Sequence, residues 1–458
     1  MESTAARFNT ISYILVCLTV IVTILLYGAV HQPVIAFFYL LVTLLVLLWT
    51  GHSYFSRSLS FSTSPLQIPL LMLGIYGLIQ IIPFGSTVEP GSGLDLQRMI
   101  SIDPFATKMT AVHLLFLSLY FAGALVWIDR ETRIQRVATL FIAFGAFYAF
   151  FAIIQSILSP ERIYGIYEPG SSTPYGSFVN RHNFAAIIEM TIALALGRIF
   201  TGNVDKDKRL MYWLAVALMA TSLLLSGSRG GLVSLVAGSV FLVFLTVRGK
   251  KGAAKWLSPV LAAAILAIAL AGAAFVGGET SLSRFADTAN DTNVSYSRTQ
   301  IWAVTVKVIA ENFPFGAGVG AFPRAYAQQD PSGGSQSVDQ AHNDYLQILA
   351  DAGIVGAIIG AAFLFLFFRE GMRAAKNSGP ALTAVAVGAF TGCFMILVHS
   401  LFDFVLHITA ISLLFLTLLA LLVGSGRNLQ QETVGRKKKM HSPTVGSITE
   451  LDWNRNRN

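Results

Sequence analysis

Three side chains in this 458-residue chain stand out because of where they fall: Arg229, Arg298 and His342. Arg229 lies in Ser226-Gly227-Ser228-Arg229-Gly230-Gly231, a very short turn between two apolar runs, with the next helix predicted to begin at Gly230. An arginine beside a helix N-terminus meets the positive end of the helix dipole, an unfavourable pairing unless an anion lies between them. Glycines at that position let backbone N–H groups approach such an anion. The plainer alternative is a tight turn whose arginine reaches up to lipid headgroups. Arg298 repeats the pattern in Ser295-Tyr296-Ser297-Arg298-Thr299-Gln300-Ile301-Trp302, which reads as a serine cap and the first turn of a helix. Here the plainer alternative is a solvated loop arginine. Trp302, Val306, Ile309 and Phe313 recur at near-helical spacing, which predicts a face packed on the rest of the protein, and Pro314 closes the helix.

His342 stands where a long polar segment, about 278–341, gives way to an apolar run at about 345–368. Histidine exchanges a proton near neutral pH, so a histidine at such a boundary is either a loop anchor or a proton-transfer group. Asn343 and Asp344 follow it directly, and Asp351 lies inside the apolar run. Two more polar groups flank membrane-length runs. Arg181, His182 and Asn183 crowd one helix start, with Asn180 as its cap and Glu189 deeper in the same run. An intramembrane carboxylate is a functional candidate by default. His399 and Asp403 end another run, placed either to orient a catalytic group or to pair with each other.

These groups suit one kind of chemistry. Two arginines match a doubly charged diphosphate and stabilise charge developing on it as it leaves. A histidine deprotonates an attacking hydroxyl. The sequence has no P-loop, no zinc-ligand spacing, no Gly-x-Ser-x-Gly elbow and no Rossmann fingerprint, so neither a metal nor a cofactor is expected. Cys17 and Cys393 lie far apart in apolar runs and suggest no disulfide framework.

The elements that must position these residues are membrane helices. The chain is 54% hydrophobic and 12% charged, about half the charged fraction of a soluble protein. Apolar runs long enough to cross about 30 Å of hydrocarbon recur throughout. They fall near 10–30, 33–50, 65–84, 108–128, 134–158, 181–201, 209–227, 230–248, 256–277, 345–368, 380–400 and 408–425. The expected fold is therefore all-α: a polytopic membrane protein of about 12 transmembrane helices, with the large loop 278–341 between helices 9 and 10. Residues 1–425 form a single transmembrane domain, and 426–458 a basic tail expected to be disordered. With both termini cytoplasmic, all but nine of the 32 basic residues lie on the inner side. The exceptions are Arg98, Lys108, Arg162, Arg181, Arg229, Arg284, Arg298, Lys307 and Arg324. The net charge of +8 is thus topological, and nucleic acid is not an expected partner. The Arg436-Lys437-Lys438-Lys439 run is expected to lie against anionic membrane lipid.

The same residues resemble a known family. Ser226-Gly-Ser-Arg229-Gly-Gly, Arg298 with Trp302, Gly316-Ala-Gly318-Val-Gly320, and His342-Asn343-Asp344-Tyr345-Leu346 with Gly353 and Gly356 are similar to the motifs of the O-antigen ligase and O-antigen polymerase superfamily. Phe178-Val-Asn180-Arg-His-Asn183 and His399-Ser-Leu-Phe-Asp403 resemble further motifs of its bacterial members, so the likeness spans about 170–420. The resemblance implies a metal-independent, inverting transferase in the bacterial inner membrane. It would take a glycan from undecaprenyl diphosphate at the periplasmic face and pass it to a lipid or saccharide hydroxyl. On that likeness Arg229 and Arg298 bind the diphosphate and His342 activates the acceptor, making these three the catalytic set. Arg181, His182, Asn183, Asn343, Asp344, His399 and Asp403 are then the expected substrate-binding groups. A ligase is the leading expectation and a polymerase the alternative. A lipid-linked-glycan transporter, which requires broken helices and internal repeats, is the more distant one.

The topology is directly testable. In Gly333→Cys the new thiol should react with an impermeant reagent added to intact cells, whereas Lys437→Cys should not. The opposite pattern would overturn the assignment of sides.

Overall fold

The computed structural model describes residues 2–88, 95–170, 172–202, 204–247, 298–331 and 337–438. Thirteen α-helices are described, in the order α1 (Glu2–Leu25), α2 (Gln32–Ser56), α3 (Gln67–Gln80), α4 (Pro104–Trp127), α5 (Glu131–Leu158), α6 (Arg181–Thr201), α7 (Lys206–Ser226), α8 (Arg229–Val247), α9 (Arg298–Glu311), α10 (Phe322–Gln329), α11 (Asp344–Asn377), α12 (Pro380–His399) and α13 (Thr409–Lys438). Ten of these are long and apolar enough to cross a membrane, and α3 is a shorter apolar helix. The chain is an all-α multi-pass membrane protein, as its composition requires. The expected span at 256–277 lies outside the described residues, as do the basic residues 248–255 and the tail beyond 438. The last helix runs on to Lys438, into the expected tail. A two-stranded antiparallel ladder, Ser86–Val88 with Asp95–Gln97, is the one sheet described.

Capping side chains set where the important helices begin. Asp103 accepts from the Ala106 amide at 3.1 Å before Pro104, fixing the start of α4. Asn180 accepts from the His182 amide at 2.9 Å, and Asn343 accepts from the amides of Tyr345 and Leu346. These two caps place Arg181–Asn183 and His342 at the same end of the bundle. The centre of the bundle is α6, α12 and α13, which are enclosed by the other helices over most of their length. α6 and α12 cross with almost no side chain between them. A Cβ on Gly197 would lie 2.5 Å from the Gly388 Cα, so the contact exists because both residues lack one.

α11 is broken near its start. At Gly353 the backbone leaves the helix, with φ 56° and ψ −142°, a conformation close to glycine-only. Freed backbone groups within a membrane protein need partners from protein. The segment 314–320 supplies them: the Ile354 amide donates to Pro314 O, the Ala317 amide to Ala350 O and the Gly318 amide to Asp351 O. The buried Gln80 of α3 completes the joint. Its amide nitrogen donates to Phe315 O and Asp351 O at 3.0 Å, and its oxygen accepts from the Val319 amide at 2.9 Å. The Asp351 carboxylate accepts from the Gly320 amide at 3.1 Å. The Gly316-Ala-Gly318-Val-Gly320 motif is therefore a plug fitted into a broken helix, and Asp351 belongs to that plug.

One expected face is corrected. α9 buries Ile301, Val304, Thr305 and Val308; of the expected stripe, Ile309 packs partly against the same core and Trp302 is half-buried, but Val306 and Phe313 face out. Val306 is 55% exposed and Phe313 66%. The buried side lies one position back because α9 packs on α10 and α11 through a small separate core with Ala317, Phe322, Ala325, Tyr326, Ala341 and Ala350. Trp302 contributes differently, donating its indole N–H to Ala341 O at 3.0 Å. The expected serine cap at 295–297 lies outside the described residues.

The joint gives a stability prediction. A Cβ on Gly353 would fall 2.1 Å from Pro314 O, so Gly353→Ala should destabilise the protein by at least the ~1–3 kcal/mol of a strained backbone. Gly360→Ala, where the added carbon meets nothing within 4 Å, should be neutral or mildly stabilising. Equal melting temperatures for the two variants in detergent would contradict the plugged-break account.

Candidate functional site

The polar residues at one end of the bundle meet around Asp403, in the turn between α12 and α13. Asp403 is buried, 1% exposed. Its Oδ1 lies 3.1 Å from His342 Nδ1 and accepts the Phe404 amide at 3.0 Å. Its Oδ2 accepts from Arg298 Nη2 at 3.2 Å and lies 4.0 Å from His182 Nδ1. Three elements distant in sequence, the starts of α6 and α9 and the residue before the α11 cap, thus converge on one carboxylate. Burial by itself pushes the Asp403 carboxyl up. The hydrogen bond from His342 and the positive surroundings of His182 and Arg298 outweigh it and hold the carboxyl well below the usual range. Asp403 is therefore ionised, and an ionised carboxylate only accepts hydrogen bonds. His342 Nδ1 must then carry a proton toward Asp403, so in the neutral ring the lone pair lies on Nε2.

His342 is held by its neighbours more than by its own conformation. Its φ of 49° lies in the left-handed region that non-glycine residues rarely occupy. The carbonyl before it accepts from Trp302, the Ala341 amide donates to Gln347 Oε1 at 2.7 Å, and Asn343 caps α11. The Asp344 amide reaches Ser400 O at 2.9 Å, and the Asn343 side chain donates to Leu401 O at 3.0 Å. The His342 ring packs edge-on against Phe404. Its side chain is 30% exposed and that of Arg298 38%, against 2% for Asp403. The two outer groups can touch a substrate, and the carboxylate beneath them can only position them.

Arg229 is the first residue of α8, and the residues on either side of it touch this cluster. Ser228 Oγ lies 2.8 Å from His182 Nδ1, and Gly230 packs on the His399 ring. The Arg181 guanidinium lies over Gly227 in the same turn. Below it lies a second buried pair. His399 Nδ1 is 2.9 Å from Glu189 Oε1, both side chains fully buried, and Ser234 of α8 donates to Glu189 Oε2. His399 and Asp403 therefore do not pair with each other, one of the expected alternatives. His399 turns inward to the intramembrane carboxylate and links α6, α8 and α12, while Asp403 turns to the loop residues.

Two expected substrate groups have other engagements. The Asp344 carboxylate lies 2.7 Å from His407 Nδ1 and accepts the Leu406 amide, which fastens α11 to the turn before α13. Asn343 is a helix cap. Asn183 is buried, and its Oδ1 has no hydrogen-bond partner among the described residues. His182, His399 and Asp403 offer nitrogen and oxygen atoms within 4.8 Å of one another, which is cation-site spacing. Their Nδ1 and carboxylate atoms already face Ser228, Glu189, His342 and Arg298, and the Arg298 charge competes with a cation for Asp403.

Sequence reading ranked His342 above Asp403, and missed Ser228 and Gln80. A glutamine in an apolar run carries the same signal as Glu189, a polar side chain too costly to leave in a membrane without a task. In comparison with known proteins, residues 214–361 match the family model described as O-antigen ligase. The match includes Arg229, Arg298 and His342, and leaves Arg181–Asn183, His399 and Asp403 outside. No curated protein matches the chain.

The buried pair makes its own prediction. Glu189→Ala or His399→Ala leaves one buried partner uncompensated and should cost about 3–5 kcal/mol of stability. Glu189→Gln with His399→Gln, which removes both together, should lose less than the worse single alanine variant. Thermal unfolding in detergent checks this, and a double loss equal to the two single losses combined would show that the groups do not act as a pair.

Proposed function

We propose that this multi-pass membrane protein, whose residues 214–361 match the O-antigen ligase family model, transfers a glycan from undecaprenyl diphosphate to an acceptor hydroxyl at the periplasmic face. The observation that carries the reading is the His342–Asp403–Arg298 arrangement. It combines a base, a buried carboxylate that orients the base, and an exposed guanidinium on that carboxylate.

The mechanism follows from the groups present. The acceptor hydroxyl is a weak nucleophile because its proton is held far above neutral pH. His342 Nε2 takes that proton as the oxygen attacks the anomeric carbon, and Asp403 stabilises the imidazolium that forms. The bond between the anomeric carbon and the diphosphate oxygen breaks from the opposite side, so configuration inverts. The diphosphate leaves with the bonding pair, and Arg229 and Arg298 stabilise its growing charge. Arg298 meets Asp403 through Nη2, so the rest of its planar fork can serve the substrate while the ion pair fixes its direction. Arg181 and His182 line the same turn and suit the diphosphate or the first sugar. A transporter also uses broken helices, but the break in α11 is filled by residues 314–320 and Gln80, which favours the enzyme.

The test is reconstitution. Purified protein given undecaprenyl-diphosphate-linked glycan and a hydroxyl acceptor should release undecaprenyl diphosphate and glycosylate the acceptor. A single discrete addition identifies a ligase, and a ladder of products a polymerase. Arg229→Ala and Arg298→Ala should each slow transfer about a hundredfold to a thousandfold, with lysine a poor substitute. Near-normal turnover in both alanine variants at normal expression would remove the diphosphate assignment.

A further inference from the structure

Two histidines stand beside Asp403, and the groups behind them give their rings opposite tautomers. His342 turns Nδ1 to the ionised carboxylate, which requires a proton there. His182 turns Nδ1 to the Ser228 hydroxyl at 2.8 Å. Ser228 is fully buried and precedes α8, where its side-chain oxygen accepts the Gly231 amide at 3.2 Å. That bond uses a lone pair of the oxygen and leaves the hydroxyl proton to be placed. Among the described residues, His182 Nδ1 is the one acceptor within its reach. A buried O–H with nowhere to donate is costly. Ser228 therefore donates, His182 Nδ1 accepts, and the neutral ring carries its proton on Nε2. Asp403 Oδ2 opposes this choice from 4.0 Å, but that is beyond hydrogen-bond distance, and Arg298 already meets the same oxygen at 3.2 Å.

His182 Nε2 has no hydrogen-bond partner among the described residues, and 17% of the side chain is open. Arg298 shares Asp403 Oδ2 with this ring, and the Arg181 guanidinium lies over the turn that carries Ser228. We propose, on the reading that undecaprenyl diphosphate is the leaving group, that His182 donates its Nε2–H to an oxygen of the departing diphosphate and that Ser228 fixes it as a donor. A protonated ring nitrogen has no lone pair to offer, so it suits a phosphate oxygen, which only accepts. A neutral imidazole aimed where charge grows stabilises that charge without giving up its proton. The diphosphate departs with the bonding pair, the acceptor's proton stays on His342, and no proton leaves His182. The two rings divide the work: His342 Nε2 accepts and His182 Nε2 donates. Ser228, which acts through His182, is a positioning residue.

The experiment uses full-length protein in detergent, labelled with ¹⁵N-histidine. The NMR resonances that vanish in His182→Gln identify the ring, and at neutral pH they should show Nδ1 bare and Nε2 protonated. Undecaprenyl diphosphate added alone should shift the Nε2–H signal, and phosphatidylglycerol should not. In single-turnover transfer, His182→Ala should lose about a hundredfold to a thousandfold while His182→Gln, whose amide restores an N–H, stays within about tenfold of wild type. The acceptor KM should not change in either. At His342 glutamine should fail as alanine does, because it cannot take a proton. Ser228→Gly keeps most of the cap but removes the hydroxyl; it should move the His182 proton to Nδ1 and slow transfer severalfold. A wild-type ring protonated on Nδ1, or on both nitrogens, would overturn the donor. Unimpaired transfer by His182→Ala would overturn it while leaving the proposed reaction standing. An Nε2–H ring in protein that neither transfers glycan nor responds to undecaprenyl diphosphate would overturn the proposed reaction and His182's part in it.

Discussion

A carboxylate with 2% of its side chain exposed, at the end of a membrane bundle, keeps its charge only if its surroundings replace the water it has lost. Asp403 meets that requirement with groups from three parts of the chain: Arg298 from α9, His342 from the residue before the α11 cap, and His182 from the start of α6. None of these is its neighbour in sequence. The demand of one buried charge therefore brings the loop residues and the helix starts to a single place. It also fixes the direction of each group, because a hydrogen bond or ion pair to a rigid acceptor allows few orientations. His342 and Arg298 are positioned as a consequence of satisfying the carboxylate. Beneath it, Glu189 and His399 apply the same logic inside the membrane and hold the turn that carries Arg229.

Such precision requires that the loop be fastened to the bundle. The fastening is the broken helix at Gly353 and the glycine segment laid into it, with Gln80 closing the joint from α3. α9 and α10 then pack on α11 through their own small core, and Trp302 holds the carbonyl beside His342. The uncommon backbone of His342 is sustained by these contacts on both sides. The loop end is as constrained as a helix terminus.

Much of this was legible in the sequence because hydrocarbon imposes simple rules. Span length and polar residues at helix starts give the described helices in order, although the expected span at 65–84 is the shorter helix α3. Arg229, Arg298 and His342 were visible as polar groups in the wrong electrostatic or apolar setting. What the sequence could not show was pairing. Asp403 competes on paper with Asp344, which is closer to His342 in the chain, yet Asp344 is taken by His407 and the Leu406 amide. The α9 stripe was misplaced by one position for a related reason. Val306 and Phe313 fit a helical period, but which side of a surface helix is covered depends on partners that a period does not name. The role of the glycine motif at 316–320 was likewise hidden, since it depends on a break 33 to 37 residues further along the chain.

The central claim is that Asp403 acts through His342, and its sharpest test is a double-mutant cycle on single-turnover transfer with donor binding measured on the same variants. His342→Ala and Asp403→Asn should each slow the chemical step by roughly a hundredfold to ten-thousandfold while donor binding persists. If the carboxylate works by orienting the base and stabilising its protonated form, the double variant should be no slower than His342→Ala alone. Multiplying losses would place Asp403 with Arg298 instead of with the base, and a His342→Ala protein that still turns over donor at the wild-type rate would contradict the account outright.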